Sequence, residues 1–123
     1  MKNRLLAVAA AGEALTGLVL LVYPSLVVRL LFGAELTGVS ITVARVLGIA
    51  LIGLGTACWP CGSASRALCG MLTYSALTMA YLLYLGIRGE WVGPLLWPAV
   101  VLHAVLTLLL ARAWLKPQED RAP

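Results

Sequence analysis

The stretch Leu95–Trp114, LLWPAVVLHAVLTLLLARAW, holds twenty residues in which only His103, Thr107 and Arg112 interrupt an otherwise apolar run. Twenty apolar residues are about what a helix needs to cross the ~30 Å hydrocarbon core of a bilayer. Three more stretches of similar length and character lie before it: Leu5–Tyr23, Val39–Trp59 and Ala67–Ile87. Backbone groups in lipid must be paired within the segment, and the alternation a barrel strand needs is absent, so all four predict helices. The expected fold is an all-α membrane protein, an antiparallel four-transmembrane-helix bundle spanning residues 1–115. A polar cytoplasmic tail is expected over residues 116–123.

The whole 123-residue chain agrees with this reading, being 62% hydrophobic and 11% charged, with a mean hydropathy of +0.98. Its net charge of +4 does not point to nucleic acid, because the basic residues flank the spans. With the N-terminus in the cytoplasm, Lys2, Arg4, Arg66, Arg112, Lys116 and Arg121 lie inside, and Arg29 and Arg88 lie outside. That bias follows the positive-inside rule and predicts that both termini are cytoplasmic. Trp59 and Trp114 then close spans two and four at the inner boundary, while Trp91 and Trp97 flank the outer start of span four. Lys2, Arg4 and the alanines that follow resemble a signal peptide, but Glu13 interrupts the apolar run, so an uncleaved first span is expected.

The connections are short. Pro24–Gly33 (PSLVVRLLFG) cannot cross a bilayer and predicts a short interfacial helix after the first span. Cys61–Arg66 and Arg88–Pro94 read as tight turns, which predicts that sequential helices are antiparallel neighbours. Ala10/Ala14, Ala44/Gly48 and Gly53/Ala57 have the small-xxx-small spacing that lets membrane helices approach closely.

Glu13, Arg45 and His103 stand out because an ionisable side chain inside a membrane costs roughly 2.5–3.5 kcal/mol on insertion scales. At about 1.5 Å per residue, Glu13 lies ~12 Å from the inner edge, Thr78 and His103 ~16 Å, and Arg45 ~21 Å. Helical spacing groups Arg45 with Gly48, Ile52 and Gly55; Tyr74 with Thr78 and Tyr81; and His103 with Ala99 and Thr107. Two readings follow. Glu13 and Arg45 neutralise each other and fix the register of two helices, or Glu13, Arg45, Thr78, Tyr81 and His103 line a site for a proton, a small ligand, a lipid or a quinone. Arg45 also lies near enough to the outer edge to snorkel.

Cys58, Cys61 and Cys69 form a second constellation, with a CxxC pair that suits either a disulfide or a soft metal. A cytoplasmic location keeps thiols reduced, and no fourth ligand is near, so the metal or thiol reading is the weaker one. In the reverse orientation the pair resembles the disulfide-generating four-helix membrane oxidoreductases, whose second cysteine pair this chain lacks. Haem needs a second axial ligand beside His103, from a second copy or from Met71 or Met79. No cofactor is expected, nor is any nucleophile–base pair or phosphate loop visible.

The segment Ala11–Gly17 (AGEALTG) resembles the start of the small multidrug-resistance transporters. That resemblance implies a homodimer in which Glu13 exchanges protons for cationic drugs, although the family's later aromatic signature is missing. Ala44–Trp59 (ARVLGIALIGLGTACW) and Pro94–Trp114 are similar to small four-helix bacterial inner-membrane proteins of the broad DoxX-like type, through Arg45, Gly48, Gly53, Gly55, Trp97, Pro98 and His103. This resemblance implies the fold and the membrane, without an activity. With so little mass outside the bilayer, the expected role is an accessory or assembly subunit that meets a membrane-protein partner, or its own copies, in the lipid.

Overall fold

The computed structural model describes residues 1–61 and 64–116. Its regular structure there is wholly helical: α1 (Lys2–Val22), α2 (Pro24–Phe32), α3 (Val39–Ala57), α4 (Ala64–Arg88) and α5 (Leu96–Leu115). All but α2 are long and apolar enough to span a membrane. Every span boundary falls within three residues of the sequence expectation. The expected tail beyond Lys116, with Arg121, and the centre of the inner turn at residues 62–63 lie outside the described residues.

Local chemistry sets the helix ends. The residue before a proline is pushed out of helical geometry, and Tyr23 accordingly adopts φ −126°, ψ 63°, ending α1 and letting Pro24 open α2. Gly33, at φ 66°, closes α2 with its N–H on the Arg29 carbonyl at 2.9 Å. The carbonyls of Leu31 and Leu30 accept from the N–H groups of Gly93 and Leu95, at 2.9 and 2.8 Å. Backbone that leaves a helix unpaired is thus satisfied by the α4–α5 connection, which ties α2 across one end of the bundle. Pro98 falls in the first turn of α5, where a missing N–H costs nothing.

Two helix pairs carry the packing: α1 against α3, and α4 against α5, with α1 also touching α4 and α5. Sequential neighbours therefore pair twice, but α3 and α4 do not form a third substantial pair. Of the two pairs, α1–α3 makes the closer backbone approach. A methyl added at Gly17 would fall 2.6 Å from the Gly48 carbonyl oxygen, and one added at Gly55 would fall 2.6 Å from that of Ala10. Such backbone contact is how small residues drive association where lipid supplies no hydrophobic force. The Ala10/Ala14 and Ala44/Gly48 pairs serve this contact. Gly53 instead faces outward with nothing near it.

This contact fixes an antiparallel register. Leu54 lies level with Glu13, and Arg45 lies level with Val22, the last residue of α1. Leu54 and Tyr74 pack together against both core clusters that α1 joins, one around Leu6, Met71 and Leu110 and the other around Leu20, Ala44 and Leu51.

Candidate functional site

Six residues of α1 form its buried stripe: Leu6, Ala9, Ala10, Glu13, Gly17 and Leu20. Their spacing of three and four is that of one helix face, and a carboxylate sits in the middle of it. Glu13 is 6% exposed. Tyr74 of α4 is a polar side-chain neighbour of Glu13, and Thr78, one turn further along α4, neighbours Tyr74 in turn. The Tyr74 ring in turn meets His103 of α5 edge-on, with centroids 6.0 Å apart and planes at 75°. Three helices thus meet through Glu13, Tyr74 and His103.

Two buried polar atoms near this junction have no partner among the described residues: the His103 Nδ1 and the Ser75 hydroxyl, on a residue 0% exposed. Leaving such a group unsatisfied costs about 1–3 kcal/mol. Thr107 does not help, because its hydroxyl donates to the His103 carbonyl at 2.7 Å. The cluster therefore combines an acid, a phenol that both donates and accepts, an imidazole with a free ring nitrogen and a free hydroxyl. That set can hold a small molecule bearing hydrogen-bonding oxygens.

The sequence expectations meet this geometry unevenly. Glu13 and His103 converge, with Thr78 beside them. Tyr81 is 62% exposed and stacks on Tyr84, with centroids 6.3 Å apart, so it lies outside the cluster. Arg45 is exposed and makes no ion pair with Glu13. The cause is helical geometry. Arg45 stands nine residues from Leu54, which is about 13 Å along α3 and half a turn around it, so it points away from the side that faces Tyr74. The expected Glu13–Arg45 pair does not form in this structure.

Sequence spacing left two contributors out of the expected site. Tyr74 lies between its two ionisable ends, and Ser75, the next residue of α4, is buried with an unpartnered hydroxyl. The available signal was the apolar stripe Leu68, Met71, Ser75 and Leu82 on α4, in which one small hydroxyl replaces a core residue. The three thiols are all free; Cys58 is buried near Gly70, whereas Cys61 and Cys69 are exposed. No group of three or more His, Cys, Asp or Glu side chains able to hold a metal occurs among the described residues.

The fold and the cluster together define a small multi-pass integral membrane protein with a polar centre shared by three of its spans. Comparison with known protein families, curated proteins and solved structures finds no match.

Proposed function

We propose that the protein is an accessory subunit of a larger bacterial inner-membrane assembly, with no catalysis of its own, and that it holds a small polar-headed ligand at the Glu13–Tyr74–His103 cluster. The observation that carries this reading is a buried carboxyl with no cation beside it, joined through one phenol to an imidazole whose Nδ1 is unpartnered. A head group with carbonyl or hydroxyl oxygens and an apolar body, such as a quinone or a lipid, matches both the donors and the surroundings. The accessory role draws support from the spans themselves. A third or less of each apolar window is buried within the chain, leaving wide lateral surface for a partner in the bilayer.

The distribution of Lys and Arg supports an orientation with both termini cytoplasmic. Arg29 is neutralised by Glu35 at 3.3 Å and Arg88 by Glu90 at 3.2 Å, both at the end where α2 lies. At the opposite end Lys2, Arg4, Arg66, Arg112 and Lys116 make no ion pair among the described residues. The excess of Lys and Arg at that end follows the positive-inside rule.

The test is purification from native membranes in a mild detergent, followed by mass spectrometry of the intact complex. The expected result is a stoichiometric membrane-protein partner, with a small molecule retained by the wild type and lost from the His103→Ala variant. A homodimer that carries neither would overturn the proposal.

A further inference from the structure

Of the three ionisable residues inside the spans, Arg45 lies nearest the α2 end. The α1–α3 register sets it level with Val22, one residue before Tyr23 and Pro24 turn the chain into α2. It therefore stands at the depth where α1 leaves the bundle and a helix too short to cross begins. The first turn of α3 rises beyond that level. Arg45 is exposed on the flank of α3 opposite Leu54, and its helical neighbours Val46 and Ile49 are 60% and 57% exposed to the apolar surroundings.

Its electrostatic situation sets it apart from the other cations at this end. Arg29 and Arg88 each have a carboxylate, in Glu35 and Glu90, and Arg45 makes no ion pair among the described residues. Glu13 is buried against α4, so a second copy of the chain offers no exposed span carboxylate to meet it. Thr42, one turn nearer the α2 end, is exposed on the same flank, and its hydroxyl makes no hydrogen bond among the described residues.

We infer that Arg45 and Thr42 form a binding site for the phosphate of a phospholipid in the leaflet at the α2 end. The guanidinium supplies a fork of donors that matches phosphate oxygens, and the hydroxyl supplies one more. The side chain rises from α3 toward the head-group layer while its methylenes stay against lipid tails. This site is separate from the Glu13 cluster and does not depend on what that cluster holds.

The experiment compares wild type, Arg45→Lys, Arg45→Leu and Thr42→Val in nanodiscs of phosphatidylcholine and phosphatidylglycerol, counting retained phospholipids by native mass spectrometry. Helix content by circular dichroism confirms that each variant is folded; leucine at a lipid-facing position keeps the helix. Arg45→Leu is expected to lower the phospholipid-bound fraction by about tenfold, with a smaller loss for Arg45→Lys and Thr42→Val. Equal retention by wild type and Arg45→Leu overturns the site. So does an Arg45-dependent protein partner in native membranes, which assigns the cation to a carboxylate of that partner. Loss of the small molecule from His103→Ala with phospholipid retention unchanged separates this site from the cluster.

Discussion

Tyr74 presents its ring edge-on to His103 across the α4–α5 seam, while its hydroxyl lies at Glu13 of α1. One side chain therefore reads two neighbouring helices, with different parts of itself. Truncating it to phenylalanine keeps the ring contact and removes the hydroxyl. Tyr74→Phe should cost about 1–3 kcal/mol, the usual penalty for leaving a buried acceptor unmet. Tyr74→Ala should cost more, because it also opens a void between three helices. Unfolding in mixed micelles of rising dodecyl sulfate measures both, and a Tyr74→Phe variant as stable as the wild type would show that the hydroxyl contributes nothing.

Glu13 and Arg45 should behave as independent residues. Their separation along and around α3 predicts that the double variant Glu13→Gln, Arg45→Leu changes stability by the sum of the singles, to within about 0.5 kcal/mol. The same unfolding assay, run as a double-mutant cycle, decides this. A coupling above ~1 kcal/mol would restore the ion pair that the structure lacks.

The α1–α3 contact should be intolerant of added volume. Gly48→Leu forces apart two backbones that a single methyl would already crowd, and is expected to destabilise by about 1–3 kcal/mol or more. Gly53→Leu, on the open side of the same helix, is the matched control and should be near neutral. If the two variants are indistinguishable by unfolding, α3 does not dock on α1 through its glycine face.

The cysteines offer a test of orientation and burial together. Cys61 is exposed in the turn between α3 and α4, and Cys58 is buried. A membrane-impermeant maleimide should label Cys61 in inside-out vesicles and leave it untouched in intact cells. Cys58 should react only after denaturation. Labelling of Cys61 from the outside of cells would reverse the proposed orientation.

The four spans and the interfacial segment were legible in the sequence because lipid imposes one rule on every residue of a crossing helix, and length alone exposes it. The convergence of Glu13 and His103 was partly legible, since depth can be counted along each helix. What depth cannot give is direction. Arg45 and Leu54 lie on one helix and point opposite ways, and only the meeting of Gly17 with Gly48 shows which of them faces α4. Tyr81 failed differently: it lies within about 20° of Tyr74's direction around α4, yet two turns further along the helix it is exposed and stacks on Tyr84. Ser75 was hidden because a lone serine in a membrane helix resembles filler until its neighbours are known.

The knot that Gly93 and Leu95 tie onto Leu31 and Leu30 joins residues 62 and 65 positions apart in the chain. During synthesis, the first half of the protein enters the membrane with the end of α2 still open. The seam between α1 and α3 needs nothing from the second half, so it can close early. The cap must wait until the turn before α5 has emerged. Biogenesis therefore has a built-in order, in which the latest-made connection latches the earliest-made hairpin. Protease protection of α2 in chains arrested before Trp91 and after Trp114 would time that latch, and identical protection at both lengths would show that α2 settles without it.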